Sequence, residues 1–229
     1  MSGLGEEWGY VLKALTDVSE HYDRVNRWIS FGMDVRLRRI AVAGRLTGSR
    51  WVLDAGCGTG MFARIALEEN PFAEVVMLDP LPAMLRQASG ALRGHFVQAV
   101  FEYLPFRPEC FERVLLGFSL RDARDSEKAT RELSTRLEHG GSLIICDISK
   151  PNDRLRAMLF RFYWLLVAPV LGFLASGRRG LTVSAIRKTY DKWPSNDVLA
   201  VQLGRFFASV EVHPKMMGGA VIMIASRKS

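Results

Sequence analysis

The sequence predicts an α/β protein: a mostly parallel, seven-stranded sheet with helices on both faces. Short apolar runs at 50–54, 74–79, 94–99, 111–117 and 142–148 alternate with segments of helical spacing. Strands separated in this way by helices pair in parallel. The first run passes through Gly56-Cys57-Gly58-Thr59-Gly60 straight into the helix-spaced Met61-Phe62-Ala63-Arg64-Ile65-Ala66. Two more strand-like runs, 206–213 and 220–226, close the chain around a Pro- and Gly-bearing turn.

From residue 6 to about residue 48 the pattern is helical, with Val11, Leu12, Leu15 and Val18 on one stripe. Between Tyr22 and Gly32, polar and aromatic residues alternate too closely for a simple buried face. Residues 1–48 therefore read either as helices packed on the core or as a helical lid over a ligand. Residues 49–150 form the core. Within it a helix starts at Pro82 and ends near Gly90. Another runs from Ser126 to Leu137, with Asp125 or Ser126 as N-cap and Gly140-Gly141 closing it.

Residues 151–195 break the rhythm. The stretch 155–175 is nearly continuous in apolar and aromatic side chains, interrupted by Arg161 and Pro169. Its uncharged run is shorter than the roughly 20 residues of a spanning helix, so a transmembrane segment is not expected. It reads as a buried helical insertion, as an apolar wall for a lipid-like substrate, or as a surface that dips into a bilayer interface. Arg154, Arg156, Arg161, Arg178, Arg179, Arg187 and Lys188 flank it, and a basic rim on an apolar body suits an anionic membrane. Lipid or a second copy of the chain, as in a homodimer, would cover it. Residues 196–229 add a helix and the closing strands to the same core.

With 229 residues, 48% of them hydrophobic, the chain can bury a large core without a metal or disulfide staple. Cys57, Cys110 and Cys146 form no C-x-x-C pair, which fits buried thiols in a reducing cytoplasm. The four histidines are scattered, so no metal site is expected. A net charge of +7 favours an anionic partner. No basic run is interleaved with aromatics, so a membrane surface is favoured and nucleic acid is not expected. The first ten residues lack the basic-then-apolar order of a signal peptide. The expected location is the cytoplasm, peripheral on the inner face of the membrane.

The glycine loop turns the backbone tightly and lets a ligand approach where a Cβ would block it. The helix that follows offers its N-terminal N–H groups. A dinucleotide fingerprint would read G-x-G-x-x-G, but here the third glycine comes one residue early. Asp54 ends the first strand, and Asp79 ends the second about 20 residues after the loop, where a carboxylate can accept both ribose hydroxyls. This arrangement resembles the S-adenosylmethionine site of class I methyltransferases. In that likeness Asp54 faces the loop amides and the methionine ammonium.

A wider set of residues is similar to the UbiE-type C-methyltransferases of menaquinone and ubiquinone biosynthesis over almost the full length. It comprises Tyr22-Asp23-x-x-Asn26 with Ser30-x-Gly32, the loop itself, Leu104-Pro105-Phe106, Phe118-x-Leu120-Arg121-Asp122, Ser149-Lys150-Pro151 and Gly218-Gly219-Ala220-Val221. The resemblance implies a Rossmann-like class I methyltransferase fold whose last strand runs antiparallel. It implies S-adenosylmethionine as cofactor and a prenylated quinol, or another lipid-like small molecule, as substrate. The family's cofactor contacts fall on Thr59, Asp79, Val100, Phe101 and Gly117, joined by Gly56, Cys57, Gly58 and Pro80 around the loop and by Tyr22 from the lid. Valine stands at 100 where the family carries Asp or Asn, so backbone near Phe101 and Glu102 must hold the adenine. Gly117 replaces a hydroxyl residue, and Asp122 replaces an Asn.

The implied chemistry is in-line transfer of a methyl to a ring carbon made nucleophilic by its neighbouring hydroxyl. Arg121 is the candidate for stabilising the developing oxyanion, and Asp122, His21 or His213 for taking the proton. The competing role for Arg121 and Asp122 is a surface ion pair capping the next helix. Methylation of a phospholipid or sterol, and cofactor binding without catalysis, are the alternative functions.

Overall fold

The computed structural model describes residues 3–228, apart from the side chains of Ser184, Ala185, Arg187 and Lys188. Strands β1 (Trp51–Ala55), β2 (Glu74–Asp79), β3 (His95–Gln98), β4 (Phe111–Gly117), β5 (Leu137–Ile148), β6 (Ser209–Lys215) and β7 (Ala220–Ser226) form one sheet in the order β3-β2-β1-β4-β5-β7-β6. The first five are parallel, and β7 lies antiparallel between β5 and β6. The last strand is thus antiparallel, as expected.

Alternate residues of the central strands feed two apolar layers. Leu53, Leu78 and Leu116 join one, while Val52, Met77 and Leu115 join the other. Burial on both faces explains why these strands read as unbroken apolar runs. Helices α4 (Met61–Glu69), α5 (Pro82–Ala91) and α6 (Ser126–Arg136) cross between successive strands. Strand order reverses around β1 and β4, so a crevice opens at their carboxyl ends, where ligands of such sheets bind.

Two boundaries differ from the sequence reading. Asp125 does cap α6, accepting from the N–H groups of Glu127 and Lys128 at 3.1 and 3.0 Å. Gly140-Gly141, however, does not close that helix. The chain turns extended at Leu137, and both glycines lie inside β5, at a register shift where Gly140 has φ +72°. A Cβ on Gly141 would stand 2.9 Å from the Glu138 carbonyl oxygen, so the irregularity needs the glycine. Strand β6 starts at Ser209 rather than near Phe206, whose N–H instead closes the turn after α10 (Asn196–Leu203).

A third layer joins α1 (Trp8–Val18) and α2 (Tyr22–Ser30) to the insertion, which comprises α7 (Arg154–Phe162), a π-helical turn (Tyr163–Val167), α8 (Ala168–Ser176), a 3₁₀ turn (Gly177–Val183) and α9 (Ser184–Lys192), while α3 (Met33–Val42) packs on the sheet beside α4. Val18, Val25, Ile29, Trp164, Ala168 and Val183 pack between them. Gly177, at φ +61°, ends the rod, and the 3₁₀ turn folds back so that Gly180 meets the backbone of Gly172.

For the insertion, the structure rules out one of the three readings. It is not buried: Trp164, Ala168 and Ala175 face inward, but Leu155, Met158, Phe162, Leu166, Val170 and Leu174 are each about half or more exposed. Apolar side chains surround the rod, and among the described residues its packed side is marked by Trp164, Ala168 and Ala175. The stretch Arg154–Val183, broken at Gly177, contains an 18-residue window with mean hydropathy 1.8, of which 17% is buried, while its uncharged run stays at 162–177. Arg161 does not interrupt the helix. Pro169 sits at the start of α8, directly after the π-helical turn, where its missing N–H is tolerated.

Candidate active site

The glycine loop leaves β1 with positive φ at Gly56, Gly58 and Gly60, of +70°, +54° and +84°. A Cβ on Gly56 would sit 2.6 Å from Ser119 Cβ, whereas one on Gly58 would meet nothing nearer than Tyr22 at 3.7 Å. Gly56 serves close packing, while Gly58 leaves room on the ligand side. The Gly56 and Cys57 N–H groups donate to the Leu78 carbonyl at 2.7 and 3.0 Å. Asp79 ends β2 and accepts from the N–H groups of Gly58 and Leu81, each at 2.9 Å. Burial raises the Asp79 pKa against those two bonds. Each of its oxygens keeps acceptor capacity for a sugar hydroxyl.

One cavity lies along this edge. Gly56, Gly58, Asp79, Pro80, Val100, Phe101 and Gly117 line it, and Tyr22 and Asp122 close it. Asp54, Cys57 and Thr59 are not among the residues that line it. Asp54 is 1% exposed and accepts from the Ala63 N–H at 2.8 Å, fixing the start of α4. Among the described residues its Oδ1 has no hydrogen-bond partner, and burial pushes its pKa up to about 7. A buried, unpartnered carboxylate oxygen beneath the loop fits a cationic group such as an ammonium. Thr59 Oγ1 donates to Asp23 Oδ1 at 2.7 Å, so its hydroxyl ties the loop to α2. Cys57 and Cys146 are buried, with thiol pKa values raised by burial, and Cys110 is half-buried.

A second, mostly apolar cavity adjoins the first. Val11, Val25, Ile29 and Ile148 line it, with Trp164 and Val183 from the inner side of the insertion. Leu15, Tyr22, Phe118 and Asp122 line both cavities. Arg121 faces the second. It is not part of a surface pair: its side chain is 6% exposed, with Nη1 2.5 Å from Asp147 Oδ1 and Nε 3.8 Å from Asp122 Oδ1. Burial opposes the Arg121 charge, but the Asp147 and Asp122 carboxylates outweigh it and raise its pKa. Burial pushes Asp122 up to about 6, with Arg121 opposing. The phenol of Tyr22 is also raised by burial.

Neither histidine candidate reaches a cavity. His21 lies in a surface 3₁₀ turn against Arg24 and Arg179, and His213 sits partly exposed on edge strand β6 beside Glu211. Sequence reasoning missed Asp147, which anchors Arg121, and Ser119, whose hydroxyl donates to the Ala55 carbonyl at 2.9 Å. It also missed a spacing that was there to be read. Tyr22, Asn26, Ser30, Asp34 and Arg38 recur every fourth residue, and all five line the apolar cavity.

Residues 1–222 match the model of the ubiE/COQ5 methyltransferase family. A demethylmenaquinone methyltransferase of Thermus thermophilus is 33% identical, aligned over 93% of this chain and 99% of its own length. The ubiquinone/menaquinone biosynthesis C-methyltransferase UbiE of Syntrophotalea carbinolica is 32% identical over 93% and 91%. Among solved structures, a SAM-dependent methyltransferase of Thermotoga maritima superimposes with a TM-score of 0.66 at 18% identity, over 94% of this chain and all of that one. The plantazolicin methyltransferase BpumL, in complex with a substrate analogue and SAH, gives 0.68 at 11% identity over 99% and 95%. These two likenesses speak for the fold. The family match spans nearly the whole chain and meets a loop, a ribose-type acid and an unpartnered Asp54 oxygen that suit the methylating cofactor. This chain belongs to the ubiE/COQ5 methyltransferase family and is an S-adenosylmethionine-dependent methyltransferase.

Proposed function

We propose that this enzyme methylates a ring carbon of a reduced, prenylated quinone, a demethylmenaquinol-like substrate. The observation that carries this reading is the shared wall. Leu15, Tyr22, Phe118 and Asp122 separate a loop-edged cavity from an apolar one, so a ring in the second would lie against the reactive end of a ligand in the first. The cofactor, when bound, supplies an electrophilic methyl group. Gly56, Gly58, Asp79, Pro80, Val100, Phe101 and Gly117 hold it, and α1 and α2 act as its lid.

Most of the protein's task is alignment in a dry pocket. Val25, Ile29, Phe118 and Ile148 exclude water from the ring. Arg121, fixed by Asp147, stabilises the ring oxygen as negative charge develops there. Asp122, ionised above about pH 6, accepts the hydroxyl proton. An apolar wall supplied by the insertion suits a prenyl tail better than a polar headgroup.

The same reading places the enzyme peripherally on the anionic, cytoplasmic face of a membrane. The inner side of the insertion lines the apolar cavity, while its outer side exposes Leu155, Met158, Phe162 and Leu174 among exposed Arg154, Arg156, Arg161 and Arg178. Charge complementarity selects an anionic bilayer as the occupant of that face. Transfer of labelled methyl from S-adenosylmethionine to a short-chain demethylmenaquinol in anionic vesicles tests both parts. Turnover on the quinol, with the protein sedimenting with anionic and not neutral vesicles, is expected. Turnover on phospholipid instead, or a soluble dimer indifferent to vesicles, contradicts the reading.

A further inference from the structure

An S-adenosylmethionine molecule ends in a zwitterion, so its site needs an acceptor for the ammonium and a donor for the carboxylate. The glycine loop has few donors left. Gly56 and Cys57 give their N–H groups to Leu78, Gly58 gives its own to Asp79, and Gly60 donates to the Cys57 carbonyl at 2.9 Å. The Thr59 hydroxyl is committed to Asp23. A buried cation stands close by. Arg38, 6% exposed, reaches from α3 to the end of β4, where its Nη2 donates to the Gly117 carbonyl at 3.3 Å and its Nη1 to the Asp34 carbonyl at 3.1 Å. Its guanidinium lies 4.7 Å from the centre of the Phe118 ring and 5.9 Å from that of Phe62 in the first turn of α4. Its Nε is buried and, among the described residues, has no hydrogen-bond partner.

Gly117 lines the cofactor cavity, and a Cβ there would stand 2.9 Å from Arg38 Nε and 2.8 Å from Phe62 Cδ1. The guanidinium therefore occupies the side of β4 where a larger residue would project a side chain. Two buried atoms of opposite character are thus unpartnered around one strand-end crevice: Asp54 Oδ1, an acceptor, and Arg38 Nε, a donor. Arg38 is also the cation whose field opposes the upward shift of Asp54. The N-terminus of α4, which Phe62 belongs to, favours an anion in the same place.

We propose that Arg38 anchors the methionine carboxylate of the cofactor, opposite Asp54 at its ammonium. The inference rests on the cofactor occupying the loop-edged cavity. It assigns to a side chain of α3 a task for which the N–H groups of Gly56, Cys57, Gly58 and Gly60, already bonded, are not free. Arg38 also lines the apolar cavity, so the rival anion is a quinol oxygen.

Calorimetric titration separates these, using S-adenosylmethionine and its decarboxylated form on the parent protein, Arg38→Met and Arg38→Lys. The parent should bind the carboxylate-bearing ligand more tightly. Arg38→Met should weaken that ligand roughly ten- to a hundredfold, the range of a charge-assisted hydrogen bond, and change the decarboxylated one by less than about threefold. Arg38→Lys should recover part of the loss. Equal weakening of both ligands, or unchanged affinity for both with a raised KM for the quinol, overturns the proposal. So does a parent protein that binds both ligands equally, a result that needs no variant to fold. A parent that binds neither removes the cofactor placement itself, and this assignment with it.

Discussion

On the cofactor side, main chain does the holding: Gly56, Cys57, Gly58 and Leu81 lock their N–H groups onto Leu78 and Asp79. On the substrate side, side chains from α1, α2, α3 and the insertion enclose a mostly apolar space, and a few charges, Arg121, Asp122, Asp34 and Arg38, mark its polar end, with Asp147 paired to Arg121. The first region is stiff and tolerates little change at its glycines. The second can change its lining without moving the sheet. That difference separates a function fixed by fold, gripping a nucleoside, from one tuned by composition, choosing an acceptor.

The comparison predicts where substitutions separate binding from turnover. The largest effect belongs to Asp79→Ala, which removes the acceptor for the ribose and for two loop N–H groups. Cofactor affinity measured by calorimetry should fall by at least about a hundredfold, from two or more charge-assisted bonds. Undiminished affinity would contradict the ribose assignment. Arg121→Met comes next. Turnover should drop about 10²–10³-fold with cofactor affinity largely kept. Loss of stability should accompany it, about 3–5 kcal/mol, because Asp147 is left buried and uncompensated. Loss of cofactor binding instead would move Arg121 to the first region.

Asp122 should show itself in a pH profile. Its carboxyl, raised to about 6, accepts a proton only when ionised, so kcat should rise with pH through about 6 and level off above. Asp122→Asn should flatten that limb and slow turnover about tenfold or more. Full activity in the variant would mean that the proton leaves through water. The last effect is on stability. Burial raises Asp54 from its usual 3.8 to about 7, so between those values the folded chain holds a proton the unfolded chain has lost. Stability contributed by this group therefore falls as pH rises through that window. Asp54→Asn should make the ligand-free protein about 2–4 kcal/mol more stable at pH 8, with the gap closing toward pH 4, as denaturant titration would show.

The stiff region was the more legible in sequence. The β2 bounds, 74–79, and the helix start at Pro82 were read correctly, because buried parallel strands leave apolar runs and proline marks a first helical turn. Gly140-Gly141 misled because a glycine pair after a helix signals a cap, and only tertiary pairing reveals a bulge within β5. The insertion was left open by composition. An apolar segment predicts burial, but which side lacks a partner depends on α1 and α2, whose packing the sequence does not state. Asp147 was invisible because a strand-end acid acquires meaning only beside Arg121, twenty-six residues away. His21 and His213 were overvalued for their chemistry, and their placement at the surface removes them.

A crystal structure with SAH and a short-chain demethylmenaquinol bound together tests the central claim most directly. The sulfur should lie at the Tyr22–Phe118–Asp122 wall, pointing at a ring carbon whose neighbouring oxygen meets Arg121 and Asp122, with the prenyl stub running along Trp164 and Val183. A nucleoside outside the loop-edged cavity, or a quinol bound away from that wall, would contradict the account.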